Sequence, residues 1–167
     1  MSSDSADRHP VTEAILDLLS RHGCWFETFE HEPVRTSEEA ARMRPGYTLQ
    51  QGAKALILRS RRSGEHARFV MIVFPADRKL SNRKARDLLG GDLRFASTEE
   101  VAELTDGVQP GAVPPFGRLF GLELVADRSL FTLDRIVFNA GDRCFSIAMR
   151  SSDYETLGDP VIADVTE

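Results

Sequence analysis

The 167-residue sequence is poor in the groups that build covalent or metal-held scaffolds. Its two cysteines, Cys24 and Cys144, lie far apart and in no CxxC spacing. That argues against a disulfide framework or a zinc ribbon and for two reduced thiols. The four histidines, His9, His22, His31 and His66, show no HxxxH or HExxH spacing, so neither a metal site nor a cofactor is expected. No stretch approaches the roughly 20 apolar residues of a membrane helix, and no membrane partner is expected. The first residues have neither a cationic start nor an apolar stretch, unlike a signal peptide. The expectation is a cytoplasmic protein with a disordered tail over residues 1–9 and one domain over residues 10–167. A GxSxG elbow is missing, and no Ser/His/Asp set assembles, so nothing points to a protein nucleophile.

What is present is ordinary globular composition, 41% hydrophobic and 28% charged. The formal net charge of −5 argues against a chain coated in basic residues, but the charge is segregated. Residues 54–94 carry 11 basic and 4 acidic residues, whereas residues 95–167 carry 5 and 13. Within the basic block, Arg78, Lys79, Arg83 and Lys84 cluster at a strand end and helix start. Such a cluster suits phosphate contacts; it also suits a solvated helix face. Aromatic residues do not interleave with it, so base stacking is not indicated.

Hydrophobic periodicity predicts a first helix over Val11–His22, stopped by Gly23, and a strand over Trp25–Glu30. Thr36 with Glu39 forms a capping box that opens a helix through Met43. The apolar runs at 53–59 and 68–74 suit strands covered on both faces, with a hairpin turn at Arg62–Glu65. Ser81 opens a helix through Leu89, and Ser97 with Glu100 opens another to about Leu104. Residues 106–121 are loop-like. Further strands are predicted at 122–125, 135–139 and 144–149, with Asn139–Asp142 as the turn between the last two. A helix capped by Ser152 and a closing strand over 161–165 follow. Strands and short helices do not alternate as βαβα, so the fold class is α+β.

Three features are candidates for chemistry. Lys54 opens an otherwise apolar strand, either as a solvated strand end or as a cation at a pocket mouth. The string from Gly111 through Ala112, Val113, Pro114, Pro115 and Phe116 to Gly117 combines fixed proline angles with permissive glycines. It is either a rigid connector, with a cis bond at one proline, or a loop aiming N–H groups at a carbonyl. Asn139–Gly141 is either a plain turn or a turn facing a ligand. Ser146 is expected to be a packing residue.

Together, His31-Glu32-Pro33, Thr36 with Glu38-Glu39-Ala40, Gly52-Ala53-Lys54-Ala55-Leu56, Pro75-Ala76-Asp77-Arg78 and the Pro110–Gly117 string resemble the YbaK-type aminoacyl-tRNA deacylases. These are free-standing relatives of the editing domain of bacterial prolyl-tRNA synthetase. The resemblance runs from about Ile15 to Val165. It implies the YbaK/prolyl-tRNA synthetase-associated-domain fold, a mixed, curled, barrel-like β-sheet with short flanking helices. It also implies hydrolysis of the ester of a mischarged tRNA carrying alanine, serine or threonine, assisted by the tRNA's terminal ribose hydroxyl. Lys54 matches the family's functional lysine. Gly111, Ala112, Val113, Pro114, Pro115 and Gly117 match its carbonyl-holding loop, and Thr36, Met71, Asn139 and Gly141 are expected in the substrate pocket. Ala112 stands where some relatives have a second glycine. Ala55 stands where an alanine-specific branch has a polar residue, and Asn139 where relatives have His or Ser. The expected partners are mischarged aminoacyl-tRNA and an aminoacyl-tRNA synthetase, not DNA. The competing reading is a non-catalytic tRNA- or synthetase-binding module of the same fold.

Overall fold

A hairpin of two long strands organises the molecule, described over residues 8–167 in a computed structural model. Strands β2 (Ala53–Arg61) and β3 (Arg68–Pro75) pair antiparallel, Ala53 opposite Pro75 and Ser60 opposite Arg68. They form the centre of a five-stranded sheet ordered β4 (Asp92–Phe95), β2, β3, β5 (Glu123–Asp127), β8 (Val161–Ala163). β5 and β8 join it in parallel. Successive side chains of a strand point to opposite faces, and β3 shows what a continuous apolar run does with this. Its Met71 and Val73 enter one core cluster, and its Val70, Ile72 and Phe74 enter another on the far face.

The second sheet is antiparallel, in the order β1 (Phe26–Glu30), β7 (Phe145–Arg150), β6 (Arg135–Asp142). The larger core lies between it, the five-stranded sheet and α1 (Pro10–Arg21), with Ile15, Leu19, Phe116, Phe138 and Ile147 fully or almost fully buried. A parallel bridge between Gly52 and Val137 joins the two sheets where β2 begins. The architecture is thus α+β, but the sheets do not close into a barrel. Helices α2 (Ser37–Arg42), α3 (Asn82–Leu89), α4 (Thr98–Leu104) and α5 (Ser151–Gly158) flank them.

Most local signals act as their chemistry predicts. Thr36, Ser81 and Ser97 each cap a helix through the side-chain oxygen. Only the last is a full box, because Glu39 turns back one residue further and accepts from the Arg35 N–H. Four expectations are corrected. Ser152 lies inside α5 rather than capping it, since the helix already starts at Ser151. Asn139–Asp142 is not the turn: β6 continues through it with a register shift, and the turn falls at residues 143–144. Ala140 and Gly141 are buried, and a Cβ on Gly141 would lie 3.2 Å from Val11 Cβ of α1, so this segment packs under a helix instead of facing water. β4 was not expected; its alternation of charged residues around Leu93 suits an edge strand beside β2. Of the proposed tail, residues 1–7 lie outside the described residues. Arg8 and His9 do not belong to a tail, because Arg8 pairs with Glu13 and Glu30 and the His9 ring caps α1.

Tyr154 of α5 is fully buried and donates its hydroxyl to the Pro115 carbonyl at 2.6 Å. Its ring packs edge-on to Phe116 with centroids 5.3 Å apart, and burial pushes the phenol well above its ordinary range. Tyr154→Phe keeps the packing but leaves that carbonyl without its donor. It is expected to lower the stability to urea unfolding by about 1–3 kcal/mol, and an unchanged midpoint would show that the bond does not hold the loop.

Candidate active site

The cavity of about 430 Å³ beside the sheet junction is walled by α2, the start of β2, the β6 residues Val137 and Asn139, and the Gly111 loop. Its size is that of a small-ligand site. Close backbone approach builds it. A Cβ on Gly52 would lie 3.1 Å from the Leu49 carbonyl oxygen and 3.2 Å from Ala76 Cβ, so glycine lets β2 start against both. Its charged lining residues are Arg35, Arg44 and Lys54 against one carboxylate, Glu38. That balance favours a negatively charged ligand.

Lys54 is exposed, at the mouth. Thr36 also lines the cavity, with its hydroxyl oxygen accepting from the Glu39 N–H. Gly111 and Val113 line the opposite wall. The loop that carries them is tied down by its carbonyls: Arg143 donates to Pro110 at 2.7 Å, the Asn139 amide to Gly111 at 2.9 Å, the Gly141 N–H to Ala112 at 2.8 Å and Tyr154 to Pro115. Gly111 has φ +85°, and every described peptide bond is trans, including those before Pro114 and Pro115. Gly117 is needed for a different reason, since a Cβ there would lie 2.8 Å from the Leu122 carbonyl oxygen.

The floor holds a polar network that sequence reasoning missed. Arg44 follows α2, and only 5% of its surface is exposed. It donates from Nε to Ser146 Oγ at 3.0 Å and from Nη2 to Asn139 Oδ1 at 2.9 Å. Ser146 Oγ also lies 3.1 Å from Asn139 Oδ1 and 2.8 Å from His31 Nε2. No ion pair among the described residues engages Arg44. Burial lowers its pKa to about 10, so it stays a cation at neutral pH. Ser146 is thus a buried hydrogen-bonding hub, not a packing residue. Its signal was its place as the lone polar residue in the apolar run of β7. Arg44 left no periodic signal, because it sits in a turn between α2 and Pro45.

Of the expected site residues, the cavity gathers Lys54, Thr36, Gly111, Val113 and Asn139. Met71 does not line it and is wholly buried in the core. Ala112, Pro114, Pro115, Gly117 and Gly141 shape or back the loop without lining the cavity. Arg78 and Lys79 are exposed just beyond Ala76 of the cavity wall. Arg83 pairs with Asp87 along α3, while Lys84 bonds Asp164 at 2.8 Å and the Thr166 carbonyl at 2.7 Å, tying down the C-terminal segment. Among the described residues, no group of three His, Cys, Asp or Glu could hold a metal ion.

The family profile described as an aminoacyl-tRNA editing domain matches residues 31–157. The chain is 36% identical to the multifunctional Ser/Thr-tRNA deacylase ProXp-y of Escherichia coli K12, over 91% of this chain and 90% of that protein. It is 29% identical to the proline–tRNA ligase of Ralstonia nicotianae, over 86% of this chain but 25% of the ligase. A crystal structure described as a candidate trans-editing enzyme for prolyl-tRNA synthetase superposes with a TM-score of 0.79 at 25% identity, over 96% of this chain and 99% of that one. The chain therefore belongs to the aminoacyl-tRNA editing domain family.

Proposed function

We propose that this protein hydrolyses the ester that joins a small amino acid to the 3′ end of a mischarged tRNA, acting in trans on seryl and threonyl esters. The observation that carries the reading is the meeting of Lys54 and the tied-down Gly111 loop on one predominantly cationic cavity, in a chain that resembles a Ser/Thr-tRNA deacylase along nine-tenths of its length. An aminoacyl ester is already activated, so the protein needs to orient it, admit water and stabilise the developing oxyanion. Water oxygen bonds to the carbonyl carbon, the bond from that carbon to the ribose oxygen breaks, and a water proton ends on the ribose oxygen. Free amino acid and uncharged tRNA leave.

In this reading Lys54 anchors the terminal nucleotide and offsets charge at the mouth. The N–H groups of Gly111 and Val113 have no acceptor among the described residues and are offered to the ester carbonyl. One such donor is typically worth roughly 3–4 kcal/mol in the transition state. Arg78 and Lys79 contact the tRNA backbone beyond the mouth, whereas Lys84 is excluded from that role by its structural bonds. A cytoplasmic setting follows from the substrate. No helix among the described residues is long and apolar enough to cross a membrane.

Wild-type protein is expected to release serine and threonine from the corresponding tRNAs, and Lys54→Ala to lower kcat/KM at least about tenfold, equivalent to 1.4 kcal/mol. Equal rates for the variant would remove Lys54 from the site; no turnover by the wild type would favour a binding module. Arg78→Glu with Lys79→Glu should raise KM for tRNA and flatten its dependence on salt, with kcat retained. An unchanged KM would make that pair a solvated face.

A further inference from the structure

The buried arginine on the cavity floor asks for a ligand of definite polarity. A guanidinium has five N–H donors and no acceptor. Two of those in Arg44 are engaged, by Ser146 and by Asn139. The other three have no acceptor among the described residues, and Nη1 lies toward the cavity wall, 3.8 Å from where a Cβ on Gly52 would sit.

The guanidinium is held from behind by its two hydrogen bonds. His31 Nδ1 lies 2.9 Å from the Glu32 carbonyl oxygen, so this nitrogen carries a hydrogen and donates it. Ser146 Oγ lies 2.8 Å from His31 Nε2 and 3.1 Å from Asn139 Oδ1, and its lone pair accepts from Arg44 Nε. Asn139 is fixed equally, because its Oδ1 takes the arginine donor while its Nδ2 faces the Gly111 carbonyl.

The cavity has a direction. Lys54 is exposed at the mouth and Arg44 is buried at the floor. A tRNA end is too bulky to enter a cavity of this size first, so the amino acid leads. Its α-ammonium is repelled by Arg44 and is matched by Glu38, the one carboxylate among the lining residues. The side chain is left to meet the floor. A methyl group there strips water from three N–H donors and replaces it with nothing, whereas a hydroxyl supplies an oxygen lone pair.

Resting on the deacylase reading, we propose that Arg44 is the specificity residue of this site. Its free N–H groups donate to the side-chain hydroxyl of a seryl or threonyl ester, and alanyl esters are rejected for lack of it. Of the three amino acids suggested by the family resemblance, this removes alanine.

The test compares kcat/KM for seryl, 2-aminobutyryl and alanyl esters on one tRNA. 2-Aminobutyrate replaces the serine hydroxyl with a methyl group at nearly constant size. Wild-type protein is expected to favour seryl over 2-aminobutyryl by at least about 100-fold, since sites built around a hydroxyl reject its apolar isostere strongly. Arg44→Met should bring that ratio to within a few-fold, the seryl rate falling far more than the 2-aminobutyryl and alanyl rates, and Arg44→Lys, which keeps a cationic donor, should retain part of it. A wild-type ratio near one overturns the inference, whether or not Arg44→Met folds. So does an Arg44→Met variant that lowers all three rates in proportion, which would mark Arg44 as purely structural. Wild-type protein that cleaves none of the esters overturns the deacylase reading itself, a result distinct from cleavage without discrimination.

Discussion

The side-chain amide of Asn139 is the interaction on which the site depends. Its oxygen accepts from Arg44 and lies beside Ser146, while its nitrogen donates to the Gly111 carbonyl. One planar group thereby sets the distance between the cavity floor and the loop opposite. The donor-only character of arginine also fixes which way round the amide sits. A histidine or serine could not bridge these two walls in the same way.

This arrangement depends on where the sheets meet. Asn139 lies where β6 begins its register shift, two residues beyond the Val137 bridge to Gly52. Gly52 in turn starts the strand that carries Lys54. The junction therefore places Lys54, the amide and the loop within one cavity, although they are distant in sequence. The sheets do not need to close into a barrel for this; one bridge and a shared core are sufficient. Charge segregation follows the same plan. The basic block of residues 54–94 supplies Lys54, Arg78 and Lys79 near the mouth. The acidic excess of the later chain contributes no lining carboxylate, since Glu38 comes from α2.

The local chemistry of the chain was legible wherever a short segment decides its own structure. Thr36, Ser81 and Ser97 cap the helices that they announce, and the two long apolar runs form the central hairpin. Lys54 and the Gly111 loop were legible as a pair because their residue types are unusual together. Long-range hydrogen bonds were not. Arg44 and Ser146 are 102 residues apart in sequence, and His31 and Ser146 are 115 apart, so no local pattern could couple them. The same limit explains Met71. Its run suggested a buried strand, but not which of two core faces it would enter. Lys84 looked like its basic neighbours until the C-terminal segment folded back onto it.

In the proposed reading the cavity is polarised, with the nucleotide at the Lys54 mouth and the aminoacyl side chain on the Arg44 floor. The most direct measurement is a crystal structure with a non-hydrolysable amide analogue of 3′-seryl-adenosine. The expected result is the serine hydroxyl within hydrogen-bond distance of the Arg44 guanidinium, the carbonyl facing Gly111 and Val113, and the nucleoside beside Lys54. An analogue bound the other way round, or seated with its hydroxyl in solvent and Arg44 untouched, would contradict it.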